Sequence, residues 1–333
     1  MRQDQTFNAL VVRKGPDRSF TRAIEQRELA ELPAGEVLIR VHASTINFKD
    51  RMSAHGNPAI TRRFPHTPGV DAAGVVVSSD VEEVKPGERV AVISHAMGMN
   101  MPGGFGQYVR VPAAWVMPLE DGLSFEEAMA FGTPGYTAAL AVEALIDAGI
   151  DLDGASVVVT GAAGGVGALS VAFLVTLGAK VTAVTGRTGT AEAVRQIGAV
   201  DVLDRSEFDD LSGRNLLAQE FDAGIDVAGG NLLGTLIRKM KDGGAVAATG
   251  MAADTALPIN VLPFILRGVR LLGINAENTD MTRRRAVWRK MANDWKPANL
   301  QALYRVIQLA GLPAELDPDG AADAFGRVVV DLG

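Results

Sequence analysis

The run "VVVTGAAGGVGALS", residues 157–170, constrains this chain more than any other stretch. A β-branched segment enters a turn with Gly161, Gly164 and Gly167 spaced three apart, and an apolar helical pattern follows. Glycine permits the tight turn and the close approach of a phosphate to backbone. The first N–H groups of the following helix are unpaired and favour an anion. A glycine pattern alone is weak evidence, but between a strand and a helix, at the head of a βαβ unit, it reads as a dinucleotide-phosphate turn. The same region disposes of a rival. From Gly154 to Ala179 there is no charged residue, enough in length to span a bilayer. Its glycines and β-branched run fit a buried strand, a turn and a buried helix instead.

Strands and helices alternate downstream. "SVVVTG" is a strand, "GALSVAFLVTLG" a helix, "KVTAVTG" a strand and "TAEAVRQIG" a helix. "AVDVLD", "AGIDVAG", "AVAATG" and "VRLLGIN" supply the remaining strands. Strands joined by helical crossovers predict a doubly wound parallel sheet, an α/β architecture. The first third differs. "NALVVRK", "EVLIRVHAS", "AGVVVSS" and "RVAVIS" are short β-branched runs between Pro, Gly and charge clusters. Ser124 followed by Glu127 is a capping box that opens a helix, and "TPGYTAALAVEAL" reads as a second. Near the C-terminus "RRRAVWRKMANDW" and "NLQALYRVIQLAG" read as helices, and "RVVVDLG" as a strand that returns to the β-rich domain.

With 333 residues the chain has room for two domains. Apolar residues make up 47% and charged residues 21%, an ordinary globular balance. A net charge of −7 argues against a nucleic-acid partner. Without cysteine there are no disulfides or thiolate metal sites, and the polar start "MRQDQTFNALVV" is no secretory signal. The expected location is cytoplasmic, off the membrane.

An NAD-binding sheet carries Asp or Glu about 20 residues past the first glycine, where it grips a ribose hydroxyl. Here "VTAVTGRTGT" has no acid. An acid would repel a 2′-phosphate, whereas Thr185 can donate to one and Arg187 can pair with it bidentately. The cofactor expected is therefore NADPH, with Arg205, after the third strand, as a second phosphate partner.

These segments resemble the medium-chain dehydrogenase/reductase superfamily along essentially the whole chain. More narrowly the chain is similar to the zinc-free quinone oxidoreductase-like group and its acryloyl-CoA reductase branch. "STINFKD" (44–50), "PHTPGVDAAGVVVSS" (65–79), "GTPGYTAAL" (132–140), "VTGR" (184–187) and "LPFILRGVRLLGIN" (262–275) carry the resemblance. It implies a GroES-like substrate domain from residues 1–117 and 293–333 around a Rossmann NADPH-binding domain, 118–292. It implies cofactor contacts from Thr133, Ala163, Gly164, Gly165, Val166, Thr185, Gly186, Arg187, Arg205, Gly250 and Asn275. It also implies a homodimer through strand 269–275.

Zinc members of the superfamily have Cys where "STIN" stands and a His-Glu pair where Val70 and Asp71 stand. This chain has neither, and His42, His55, His66 and His95 lie at no metal-ligand spacing. No metal is expected. The resemblance places Asn47, Phe48 and Lys49 beside the reacting ring. The branch has "NYKD", whose Tyr is a candidate proton donor in related enoyl reductases, but Phe48 has no hydroxyl. The activity implied is NADPH-dependent reduction of an activated C=C bond, such as a small enoyl-CoA. The alternatives are an NADPH:quinone oxidoreductase and a weakly catalytic NADPH-binding or sensing protein. Arg62 and Arg63 are expected either as solvated residues or as partners of CoA phosphates. Met97, Met99 and Met101 are expected to line a substrate mouth; Asn47 is a candidate orienting group, and Lys49 and Asp50 either serve the same site or form a structural ion pair.

Overall fold

The computed structural model of the protein describes residues 5–317 and 325–333. The N-terminal part is β-rich. A hairpin pairs β1 (Thr6–Lys14) with β2 (Phe20–Glu28). Strands β3 (Val37–Thr45), β4 (Ala72–Ser79), β5 (Arg89–Val92), β6 (Tyr108–Val111) and β7 (Met117–Pro118) build an antiparallel sheet. Helix α1 (Phe48–Ala54) interrupts it between β3 and β4.

The middle of the chain alternates. Helix α2 (Phe125–Asp147) leads into β8 (Ser156–Thr160), α3 (Gly165–Thr176), β9 (Lys180–Thr185), α4 (Ala191–Gln196) and β10 (Asp201–Asp204). The second half runs α5 (Arg205–Phe208), β11 (Phe221–Asp226), α6 (Gly230–Arg238), β12 (Met240–Ala248), α7 (Leu262–Arg267) and β13 (Arg270–Gly273). The six strands pair in parallel in the order β10-β9-β8-β11-β12-β13. In chain order this is 3-2-1-4-5-6, the doubly wound arrangement. Strand β8 shows why its sequence is uniformly apolar. Val157 and Val159 pack under α2 and α3, while Val158 packs on the opposite face beside Leu232 and Leu236 of α6. A parallel strand covered on both faces has no polar side to show. Among the described residues no helix is long and apolar enough to cross a membrane.

After α8 (Met281–Ala292) the chain re-enters the first sheet through β14 (Tyr304–Gln308), α9 (Leu312–Glu315) and β15 (Arg327–Asp331). The last strand does return, inserted between β14 and β3. The expected helix over "NLQALYRVIQLAG" is corrected. Its centre is β14, paired in parallel with β15 and flanked by 3-10 turns. Long-range pairing supplies the backbone partners that a helix would otherwise have provided, so local propensity loses. The two helices expected after Ser124 form one kinked element, bent at Gly132 (φ 48°, ψ −154°) just before Pro134.

The capping box is present: Ser124 Oγ accepts from Glu127 N and Glu127 Oε2 from Ser124 N, both at 3.1 Å. Ser124→Ala should lower unfolding free energy by about 1 kcal/mol, measured as a lower urea midpoint at unchanged slope.

Candidate active site

In an open α/β sheet, ligands bind beyond the carboxyl ends of the strands where the strand order reverses. Here that point lies between β8 and β11. Thr160 Oγ1 donates to Asp226 Oδ1 at 2.6 Å, and Gly229 N donates to Asp226 Oδ2 at 2.7 Å, closing the floor of the crevice. Burial raises the Asp226 carboxyl above its ordinary range, against the pull of the Thr160 hydroxyl.

The phosphate turn sits directly above. Gly161 has φ 62°, and a Cβ on Gly167 would lie 2.2 Å from Gly161 O, so neither position tolerates a side chain. Gly164 caps α3, and its N–H donates to Gly161 O at 2.9 Å. A Cβ on Gly165 would lie 3.0 Å from Arg327 Nη1 and 3.5 Å from Pro134 Cβ. The mouth of α3 is thus framed by the start of β15 and by the kink of α2. Ala163 O accepts from Gly326 N at 3.2 Å, tying the turn to the β-rich domain. Gly250 abuts Val227 O, which a Cβ would approach to 2.4 Å, and Val227 also neighbours Gly161. Ala163, Gly164, Gly165 and Gly250 therefore gather at this end of the sheet, with Pro134, next to Thr133, against the turn. The backbone fits a dinucleotide pyrophosphate.

At the end of β9 the Thr185 hydroxyl accepts from Arg187 N at 3.1 Å, leaving its own proton to donate. Arg205 lies across Gly186, where a Cβ would come within 2.8 Å of Arg205 Cδ. The two expected phosphate-binding arginines thus stand on adjoining elements. Asn275 is exposed after β13, its Oδ1 accepting from Glu277 N and Asn278 N.

Facing the turn is a buried polar cluster. Asn47 caps α1 and donates Nδ2 to Asp71 Oδ2 at 2.9 Å. Asp71 also accepts from Thr133 N at 2.8 Å and Thr133 Oγ1 at 2.5 Å. Arg327 donates to Ile46 O, Thr45 Oγ1 and Asn47 Oδ1 at 2.7–3.0 Å. Burial lowers the Arg327 guanidinium to about 10, with Asp71 and Asp50 opposing the shift. Asp50, fully buried, accepts from Asn47 N at 2.8 Å and from Gly69 N and Val70 N at 3.0 Å.

Two expectations change, those for the Lys49–Asp50 pair and for Met97. Lys49 pairs with Glu277 at 3.0 Å and not with Asp50, which is turned inward to satisfy backbone N–H groups. Phe48 is the first residue of α1 and is 77% exposed. Met97 is fully buried in the core of the β-rich domain and lines no mouth. Arg62 and Arg63 are exposed, with Arg62 Nε donating to Pro58 O. The sequence reading assigned no role to Arg327, or to Asp71 beyond its place in the motif. Each had a signal: a charge at the head of an otherwise apolar strand, in "GVDAAGVVV" and "GRVVV". Among the described residues no three of His, Asp and Glu gather as a metal site.

Comparison with known proteins bears on this geometry. The alcohol dehydrogenase GroES-like domain model matches residues 33–121, and the zinc-binding dehydrogenase model matches residues 165–293. An acrylyl-CoA reductase of Ruegeria pomeroyi is 40% identical over 327 residues, spanning 98% of this chain and 99% of that one. A Salmonella enterica oxidoreductase solved in complex with NADP superimposes with a TM-score of 0.92 at 38% identity, covering 98% of this chain and all of that one. A Bacillus subtilis protein solved with NAD bound gives 0.94 at 37%, covering 99% of this chain and all of that one.

The Asp50 carboxyl is pushed up to about 7, first by burial and then by the nearby Asp71 charge. Its folded value lies above its unfolded one, so its contribution to stability is full in acid and is lost as pH rises through 7. Unfolding free energy should fall between pH 3 and 8 by as much as about 4 kcal/mol from this group. Asp50→Asn should be less stable throughout, since an amide cannot accept on both sides, and should lack this slope in urea titrations across pH.

Proposed function

Because this chain belongs to the medium-chain dehydrogenase/reductase superfamily, in the quinone oxidoreductase-like group that includes acrylyl-CoA reductases, we propose that it is an NADPH-dependent, zinc-independent reductase of an activated C=C bond. A short enoyl-CoA is the acceptor, and the enzyme is cytoplasmic. The observation that carries the reading is the end of β9, Thr185-Gly186-Arg187 with Arg205 laid across it, beside a glycine-built phosphate turn. The end-to-end likeness to an acrylyl-CoA reductase supports the choice of acceptor.

NADPH, when bound, supplies the hydride from its nicotinamide C4. The protein's part is to hold and align. The N–H groups opening α3 receive the pyrophosphate, with Gly164, Gly165 and Val166 at its edge. Arg187, Thr185 and Arg205 receive the 2′-phosphate. Thr133, Gly250 and Asn275 border the nicotinamide end, and Asn47, Phe48 and Lys49 form the wall nearest the acceptor. Zinc independence is supported by the position of Asp71, whose lone pairs already meet three donors. The missing hydroxyl at Phe48 favours a second reading, an NADPH:quinone oxidoreductase, because a hydroquinone oxygen takes its proton readily from solvent.

Steady-state assays with crotonyl-CoA and with a benzoquinone, in EDTA, separate the two. The expected result is higher kcat/KM for the thioester, with full activity in the chelator. Turnover of the quinone alone, or activity that zinc restores, overturns the proposal. Arg187→Ala should weaken NADPH binding by about one to two decades, for a loss of roughly 1.5–3 kcal/mol, and leave NADH binding nearly unchanged. Fluorescence titration of both cofactors checks this.

The assembly we propose is a homodimer through β13. This strand pairs with β12 on one side and is an edge of the sheet among the described residues. Nearby, Ile265 is 69% and Leu266 62% exposed on α7. An apolar patch beside an open edge invites a covering partner, and a two-fold copy of the same edge is self-complementary. Light scattering at micromolar concentration should give twice the chain mass, and Leu271→Lys should shift it toward the monomer.

A further inference from the structure

We propose that Ser94 and Thr133 hold the water that protonates the α-carbon in the reduction proposed above, and that Asp71 sets the direction of their hydrogen bonds. The inference rests on that reading of the reaction.

The argument is one of proton counting. Both oxygens of Asp71 face donors: Thr133 N and Asn47 Nδ2 on Oδ2, and Thr133 Oγ1 on Oδ1. The single proton of the Thr133 hydroxyl is therefore committed to Asp71. Its lone pairs receive Ser94 Oγ, which donates at 2.7 Å. The Ser94 proton is committed in turn, so its oxygen has only lone pairs left to offer. Such an end selects a donor, and because Ser94 is buried, 8% exposed, only a small one reaches it, the smallest being water.

Two backbone features hold the chain in place. Gly132, at φ 48°, brings Thr133 N and Oγ1 together onto Asp71, and a Cβ there would lie 2.7 Å from Asp71 Oδ2. Ser94 has φ 57°, a left-handed conformation that a non-glycine residue keeps only when its surroundings over-determine it. The location is apt. Asn47, on the far side of Asp71, immediately precedes Phe48, and Pro134, next to Thr133, abuts the phosphate turn at Gly165. The side chains nearest this end are poor donors. Phe48 has no hydroxyl, Lys49 is paired with Glu277, and His95, stacked on Trp115, is driven to about 4 by burial and the Arg284 charge and is neutral at pH 7.

The step balances. Hydride addition to the β-carbon moves the C=C electron pair onto the α-carbon and thioester oxygen as an enolate. A water donating one O–H to Ser94 turns the other toward the α-carbon. That O–H bond breaks, the α-C–H bond forms, and the hydroxide takes a proton from solvent. Ser94, Thr133 and Asp71 act as positioning residues.

Reduction of crotonyl-CoA in deuterated water places deuterium at the α-carbon, and NMR reads which face received it. The wild-type enzyme should label one face. Ser94→Gly removes the hydroxyl and suits the left-handed backbone; it should scramble the label and lower kcat roughly tenfold to a hundredfold. KM for NADPH and turnover of a benzoquinone should not change. Thr133→Ser, which keeps a hydroxyl, should retain facial selectivity, and Thr133→Val should lose it. Retention of rate and selectivity in Ser94→Gly overturns the inference alone, as does an equal loss with both acceptor classes. A wild-type enzyme that reduces quinones and no enoyl-CoA overturns the functional reading and this inference together.

Discussion

A buried carboxylate, Asp71, joins segments that are remote in sequence. It receives Asn47 from the cap of α1 and Thr133 from the kink of α2, and Asn47 in turn receives Arg327 from β15. Two buried arginines, Arg327 and Arg284, lie in its field. A charge that deep is tolerated only when it is paired and fully hydrogen-bonded. Removing one partner from such a group costs on the order of 3–5 kcal/mol. The relative placement of α1, the α2 kink and the last strand depends on this contact.

The glycine turn supplies the second constraint, and it is steric. Gly161 is required by its left-handed backbone, φ 62°, and Gly167 by an approach to Gly161 O that no side chain could share. Gly165 is different. The space a Cβ would take is bordered by Arg327, so this glycine also sets how closely the β-rich domain can stand over the phosphate turn. The glycine turn and the packing of β15 meet at one residue.

The likeness to an acrylyl-CoA reductase extends over the whole chain, while the residue one would look to for protonation is a phenylalanine. The interior offers a different resource. Where the resemblance puts metal ligands in zinc members, this chain carries Asp71, and that carboxylate orders the hydroxyls of Thr133 and Ser94 into one hydrogen-bonded chain. A chain of hydrogen bonds anchored on a group that only accepts has a defined direction from end to end.

The alternation of strands and helices, the phosphate turn and the absence of an acid after β9 were legible from residue order, because each is a local pattern of period, glycine spacing and charge. The return of β15 was legible too, from an apolar strand with no crossover after it. The strand character of Tyr304–Gln308 was not. Its sequence suits a helix, and only pairing with β15, more than twenty residues on, makes it extended. The partner of Lys49 was likewise hidden, since Glu277 lies far along the chain. So was the bond from Ser94 to Thr133, which spans 39 positions. Local pattern determines which elements form. Which buried donor meets which acceptor is a property of packing, decided when the two domains close on one another.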